Sequence, residues 1–584
     1  MAQREAPPEA RAQFELMLRG DRSPAQLLAI ADLLIRSDSV IRHGDQVFEP
    51  WQFIAAALPF VARPFQAVMP LLTRHFGAGR FGVAFRIARM ALACDPADEE
   101  LLRWVAIAAL QIAEIPVAGR FLQRIAVAGG AGAPAALVMQ RLLMRYSEVS
   151  VEAIAETRAR LQRGIEELSG RQGLILDLVR RYGGFMSYLM LLAYHGEDDR
   201  PLLEQATRLY ERIIPEFRWA SPHLDTVRSD QGERRIRIGL CGSWYITSIV
   251  HYFKPLAERL DPGLFDVVVL GTMPPAQPVA ARQQILPIDI RAARQAIAEL
   301  RLDILIYTDI HMDFYYYLLA AARLAPVQAL LPGHPETAGL DTIDYFIASG
   351  EAEPEDGDSH YTERLIRLEG QITPYPRLAA SPADRLPPLP FPVDAHIYVC
   401  AQTTYKLHPE FDAIVAAILR QDDAARVVLF EMMPVEQGRA PIARLRHHLG
   451  RLADRLVVLP RLDLPDYLAL IRHASVMLDS IHFSGGNTSF QALQLGLPVV
   501  THAGKFMRGR MTLSMYRTMG FTDLVAATFD AYVALALRVA RDPAFRAHCV
   551  AEIAARVPAL IDQDTPIERY EALFKAWRQS GVVR

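Results

Sequence analysis

Leu478–Pro498 reads LDSIHFSGGNTSFQALQLGLP, and Val476-Met477-Leu478 leads into it as the apolar end of a buried parallel strand. A small polar loop follows, Ser484-Gly485-Gly486-Asn487-Thr488-Ser489. An amphipathic helix, Phe490 to Leu495, comes next and is stopped by Gly496 and Pro498. Strand, glycine loop and helix N-terminus together make a phosphate-binding arrangement. The glycines let backbone N–H groups approach an anion, Thr488 and Ser489 can cap the helix and donate hydroxyls, and the helix dipole favours negative charge. Many strand–loop–helix turns carry glycines and bind nothing, so the surrounding chain has to decide the meaning of this one.

Working outward, short apolar strands alternate with helices on both sides of the stretch. Ile397–Cys400, Val427–Phe430, Leu456–Leu459, Val476–Leu478 and Val499–Thr501 are expected strands, with helices Glu410–Leu419 and Leu464–His473 between them. Upstream, strands are expected at Arg237–Gly242, Phe265–Leu270, Asp303–Tyr307, Val327–Leu331 and Tyr345–Ala348. Helices His251–Leu260, Arg291–Arg301 and Tyr315–Leu324 lie among them. Such alternation predicts parallel α/β sheets, whose ligands sit at the carboxyl ends of the strands. The proline-rich stretch Thr373–Pro392 separates the two series. The expected organisation is an all-helical region over 1–225, a first Rossmann-like domain over 235–385 and a second over 395–584.

The first 225 residues show helical spacing. Ser23-Pro24-Ala25-Gln26 is a capping-box start, and Asp95-Pro96 opens another helix with Asp98 and Glu99 in its first turn. Gly79-Arg80-Phe81-Gly82-Val83-Ala84, with Ala88, Ala91 and Pro96, is similar to the second helix of a tetratricopeptide repeat. Ala118 matches Ala84 one period of about 34 residues later, although Gly130 stands where a proline is expected. A nonrepetitive helical domain is the alternative. Gly129-Gly130-Ala131-Gly132 follows no strand and reads as a loop.

The whole chain has 584 residues, is 51% hydrophobic and 22% charged, and carries a net charge of −3. That composition suits a globular protein and lacks the basic footprint of a nucleic-acid binder. Cys94, Cys241, Cys400 and Cys549 lie far apart and form no zinc or disulfide spacing. No apolar run approaches the roughly 20 residues of a membrane span, and the N-terminus shows no signal-peptide pattern. A cytoplasmic location is the expectation.

Several segments then agree in order and spacing. Tyr405-Lys406-Leu407-His408-Pro409, Arg455 to Leu462, Asp466-Tyr467-Leu468 and Leu478-Asp479 precede the glycine loop, and Gly504, Arg508 and Arg510 follow it. Gly333-His334-Pro335-Glu336-Thr337-Ala338-Gly339 lies upstream. From about 235 to 580 the chain resembles the O-GlcNAc-transferase-like glycosyltransferases, the family that also holds bacterial cytoplasmic protein N-glucosyltransferases. The resemblance implies two Rossmann-like domains facing a cleft (the GT-B arrangement), a helical tetratricopeptide-like N-terminal region, and inverting, metal-independent hexosyl transfer from a UDP-type nucleotide sugar to Ser, Thr or Asn of an acceptor protein. No cofactor, metal, nucleic acid or membrane span is implied.

The resemblance also assigns residues. Lys406 matches the family lysine that contacts the diphosphate; a solvated surface lysine is the alternative. Gly486, Asn487, Thr488 and Ser489 match the phosphate loop. His251 and His334 match positions for acid–base or acceptor contact. Arg508 and Arg510 either steer the donor or brace a helix. Gln491 stands where many relatives carry an acid that contacts the ribose. The loop Ser243–His251 is one residue short and has Thr247 or Ser248 in place of a first histidine. These two departures motivate a second reading, a non-catalytic helical scaffold with a degenerate transferase half; transfer to a non-protein acceptor is a third. Asp309, His311 and Asp313 alternate at a strand end and read as cleft residues rather than metal ligands. Asp356-Gly357-Asp358 imitates a metal-binding DxD but reads as a solvated loop.

Overall fold

The computed structural model describes residues 4–19, 23–43, 46–177, 188–224, 234–378 and 394–580, with 381, 383, 386 and 388–392 between the last two segments. The expected boundaries at 225 and 385, and Pro382 and Pro387 of the connection, lie outside the described residues. The chain divides into two compact units, one of residues 1–143 with 434–437 and one of 144–433 with 438–584.

The first unit is built mostly of helices. Ser23 caps Pro24–Ser37 by accepting from the Gln26 N–H, and Asp98 caps Glu99–Gln111 by accepting from the Leu101 N–H. The small residues at helical spacing, Ala84, Ala88, Ala91 and Ala118, are fully buried where neighbouring helices pack. The loop after Gly129 is filled by a side chain, the Glu99 carboxylate accepting from the Gly132 N–H at 2.8 Å. The all-helical expectation needs one correction. A small sheet, β1 (Arg4–Glu5), β2 (Ser39–His43) and β3 (Gln46–Phe48), lies among the helices. Its strands are too short, and bury too few side chains, to produce a readable alternation.

The second unit holds two parallel sheets. The first runs in the order β10 (Arg364–Leu368), β9 (Tyr345–Ser349), β8 (Val327–Leu330), β7 (Ile304–Tyr307), β4 (Ile236–Cys241), β5 (Phe265–Gly271) and β6 (Arg282–Ile285). The second runs β13 (Leu456–Leu459), β12 (Ala425–Phe430), β11 (His396–Val399), β14 (Val476–Leu478), β15 (Val499–His502) and β16 (Val525–Ala526). Central strands are apolar because helices cover both faces; Ile304, Leu305 and Ile306 are each no more than 2% exposed. Burying each such side chain contributes about 1.5–3 kcal/mol. The sequence reading missed β6, β10 and β16, which are edge strands or, for β16, two residues long. Arg282-Gln283-Gln284 on β6 is polar because an edge faces water.

Strand order reverses direction between β4 and β7 in one sheet and between β11 and β14 in the other. Loops leaving such neighbours diverge and open a crevice at their carboxyl ends. The glycine loop follows β14 and Lys406 follows β11, so both stand at the second crevice. The two sheets are tied together by aromatic packing and by the C-terminal helix Thr565–Ser580. Tyr375 stacks on Phe490 at 4.1 Å, and Trp577 stacks on Tyr345 at 4.7 Å. Residues 188–224, expected in the helical region, belong to this unit. Ala220 pairs with Arg323, and Thr207 hydrogen-bonds Tyr317 at 2.6 Å.

Candidate active site

The helix after the glycine loop is Asn487–Gln494, and no side chain caps it. The expectation that Thr488 and Ser489 cap it does not hold. Ser489 is buried and bonds the Thr512 hydroxyl at 2.8 Å, whereas Gly486, Asn487 and Thr488 are partly exposed. Unpartnered N–H groups at a partly exposed helix start are suited to an anion. Gly485 permits the loop to close: a Cβ there would lie no farther than 2.8 Å from the Ser489 hydroxyl, the Gln402 amide and the Thr488 hydroxyl. Asp479 holds the loop from beneath, accepting from the Gly485 N–H and the Ser484 and Thr501 hydroxyls at 2.7–2.8 Å.

Lys406 ends a short turn, Thr404–Lys406. Its Nζ donates to Gln402 Oε1 at 3.2 Å, and Gln402 Nε2 donates to Thr488 Oγ1 at 2.7 Å. The lysine is thereby joined to the glycine loop through one amide. Its ammonium also sits 4.5 Å from the centre of the Phe483 ring. Desolvation pushes its pKa down to about 8, only partly opposed by Asp479. A positive charge held beside neutral partners is stabilised by an arriving anion.

His334 reaches the same place from the first sheet. It is buried, its ring lies 5.8 Å from Phe483, and its Nε2 is 3.4 Å from the Tyr194 hydroxyl. Burial, with His311, Arg508 and Lys406 nearby, holds it neutral, well below the usual histidine range. Gly333 before it packs too tightly on the Thr308 carbonyl and Ile249 for any side chain. His251 lies in the helix Thr247–Arg259, on which Asn487 Nδ2 meets the Ser248 carbonyl at 3.5 Å. His251 Nε2 faces the Gln277 amide at 2.8 Å, and burial lowers its pKa. Both histidines therefore come from the first sheet's loops and helix to the neighbourhood of the glycine loop.

The other sequence candidates divide. Gln491 is partly exposed on the same helix as the loop. Arg510 spends its donors on the Ala352 and Gly504 carbonyls at 2.7 and 3.0 Å. Arg508 is buried, pairs with Asp199 at 2.8 Å and bonds the Ala193 carbonyl. Arg508 thus acts as a strut, whereas Arg510 is partly exposed and makes these two bonds with only some of its N–H groups. Asp309 accepts from Ser243 N–H and Oγ at 2.9 and 2.8 Å, with its pKa raised by burial to about 6. His311 donates to the Thr337 carbonyl at 2.8 Å, and Asp313 caps the helix Phe314–Ala320. Having separate partners, the three do not converge on an ion. Asp358 pairs with Arg367 and is exposed on a short 3-10 turn, Gly357–His360, rather than a loop. Sequence reasoning missed Tyr194, Gln402 and Phe483. Tyr194, whose ring packs on Tyr405 and Phe483 at 4.8 Å, carried no local signal. Phe483 lies within the opening stretch, where nothing local marks it out from the residues around it.

Comparison with known proteins follows this geometry. Residues 388–561 match the family model described as Glycosyl transferase family 41. The chain is 28% identical over 332 residues to a probable UDP-N-acetylglucosamine–peptide N-acetylglucosaminyltransferase SPINDLY of Petunia hybrida, covering 54% of this chain and 35% of that protein. It is 28% identical over 240 residues to a UDP-glucose:protein N-beta-glucosyltransferase of Actinobacillus pleuropneumoniae, covering 40% of this chain and 37% of the other. The chain thus spans little more than a third of the length of these curated relatives. A mutant O-GlcNAc transferase of Thermobaculum terrenum superposes with a TM-score of 0.66 at 23% identity, over 89% of this chain and 99% of that one, which shows the shared GT-B fold. Residues 388–561 are thus similar to the Glycosyl transferase family 41 model, and the chain is similar over part of its length to protein glycosyltransferases.

Proposed function

We propose that the protein transfers a hexose from a UDP-type nucleotide sugar to a side chain of an acceptor protein, with inversion and without a metal at the diphosphate. One observation carries the reading: the relay from Lys406 through Gln402 to Thr488 at the uncapped start of helix Asn487–Gln494. It unites one cation with several amide donors where a departing diphosphate gains charge. In the reaction the bond between the anomeric carbon and the diphosphate oxygen breaks, and its electron pair leaves on that oxygen. The acceptor hydroxyl or amide bonds the anomeric carbon from the opposite face, and its proton passes to a base. His251, neutral and in the first turns of the helix touching Asn487, is assigned that role. His334, whose ring lies 5.8 Å from that of Phe483, is assigned to orient the acceptor.

The test is binding followed by transfer. With a chelator present, UDP at a hundred times its dissociation constant stabilises the folded chain by about 2.7 kcal/mol. A melting temperature that UDP leaves unchanged, or shifts only after Mn²⁺ or Mg²⁺ is added, overturns the metal-free diphosphate site. Mass spectrometry of acceptor proteins incubated with UDP-sugars then distinguishes a transferase from a scaffold that binds nucleotide without turnover.

A further inference from the structure

A second set of ligand-type side chains stands beside the cradle and shares no residue with it. His408 caps the helix Pro409–Gln421, Glu410 lies in its first turn, and His482 lies in the loop after β14. One nitrogen of each histidine and one Glu410 carboxylate oxygen all lie within 4.8 Å of one another. Glu410 Oε2 is 2.7 Å from His482 Nε2 and 3.3 Å from His408 Nδ1.

The proton count is the informative part. His408 Nδ1 accepts the Glu410 backbone N–H at 3.3 Å, so that nitrogen carries no proton, and its lone pair serves this long bond until a cation displaces the N–H. A nitrogen lone pair and an anionic oxygen therefore converge. A cation between them would stabilise both. The 3.3 Å between Glu410 and His408 matches the roughly 3.3 Å edge of a tetrahedron with metal–ligand bonds of about 2.0–2.1 Å, and the 2.7 Å between Glu410 and His482 would open slightly to receive an ion. His408 is buried, whereas the Glu410 side chain is 40% exposed, so one side of the cluster is open for entry and for water as a further ligand. Two imidazoles and one carboxylate favour zinc and its neighbours over magnesium or calcium.

We propose that His408, Glu410 and His482 bind a borderline transition-metal ion such as Zn²⁺, which clamps the loop after β14 to the turn that carries Lys406. His408 is two residues beyond Lys406, and His482 precedes Phe483, the ring on which Lys406 rests. The ion takes the place of the proton on His482 Nε2, which moves to Nδ1 or to solvent. It fixes the relative position of the two loops that meet at the diphosphate cradle without being a ligand of the diphosphate.

The full chain, stripped with chelator and free of nucleotide, is titrated with Co²⁺ and then Zn²⁺. One equivalent of Co²⁺ is expected to bind, with the visible absorption of a four- or five-coordinate ion, and Zn²⁺ is expected to displace it. Glu410→Gln and His482→Asn are expected to weaken binding at least about a hundredfold, since even outer-shell changes cost 10–100-fold, with unchanged circular dichroism. Wild-type protein that binds no Co²⁺ overturns the proposal, as does either folded variant binding it as tightly as wild type. Because no nucleotide is present, the result is independent of the transferase reading.

Discussion

Lys406 is where sequence and geometry meet most closely. Its ammonium rests on a neutral amide and a ring, with Asp479 offsetting its desolvation only in part, so an arriving anion stabilises it further. Charge on the diphosphate grows as the glycosidic bond breaks, so the lysine stabilises the transition state more than the bound donor. Lys406→Ala is expected to lose at least about a hundredfold in kcat while keeping its circular dichroism; loss of one such donor typically costs about 10²–10³ in rate. Lys406→Arg restores charge but not shape, and rescues only in part. Near-normal kcat in a folded Lys406→Ala enzyme would make this lysine a packing residue with no part in catalysis. The same residue sets a pH limit. Desolvation holds its pKa at about 8, so the free enzyme loses the charge as pH rises through that value, and diphosphate binding must then take up a proton. The dissociation constant for UDP, measured by titration calorimetry, is expected to be flat below about pH 8 and to rise up to tenfold per unit above it. In Lys406→Arg that upper limb disappears, because guanidinium stays charged.

At the scale of elements, the strand–loop–helix after β14 works because Gly485 lets three side chains close over it. Gly485→Ala would place a methyl group against Ser489, Gln402 and Thr488 and break the amide link to Lys406. Overpacking of this kind costs about 1–3 kcal/mol of stability. Loss of the hydrogen bond weakens UDP binding by about tenfold. A Gly485→Ala protein that melts and binds UDP like wild type would show that the loop has slack. This element was legible in sequence because its signals are local: an apolar strand, glycines, and a helix stop at Gly496. The central strands were legible for the same reason, since burial on both faces makes them continuously apolar. Other features depend on distant chain. Ser489 looked like a cap, yet it faces Thr512, because the helix turns that side inward. Arg508 reads from sequence equally as a donor-steering cation or a brace, and only the placing of its Asp199 and Ala193 partners, far off in the chain, makes it a brace. His408 and His482 come together only when β11 and β14 lie side by side.

Over the whole molecule, the compact division falls after Leu143, not near residue 225. The segment 188–224 carries parts of the α/β unit's interior. Tyr194 packs on Phe483 and Tyr405, Asp199 pairs with the buried Arg508, and Thr207 bonds Tyr317. A chain that begins near 225 would leave Arg508 buried without its carboxylate, which costs about 3–5 kcal/mol, and would strip Tyr194 from the ring cluster beside Lys406. A chain that begins at Met144 keeps all of these. Residues 144–584 are therefore expected to fold and bind UDP within about threefold of the full chain, whereas residues 226–584 are expected to be insoluble or to melt far lower and bind poorly. If the first unit selects the acceptor, the 144–584 protein should also lose transfer to a folded protein acceptor while still hydrolysing the donor slowly. Calorimetric UDP binding and mass-spectrometric transfer assays on the two truncations decide both points. Failure of 144–584 to bind UDP would show that the first unit is needed to form the donor site. Full transfer by 144–584 would instead remove acceptor selection from the first unit and assign it to the loops around His251 and His334.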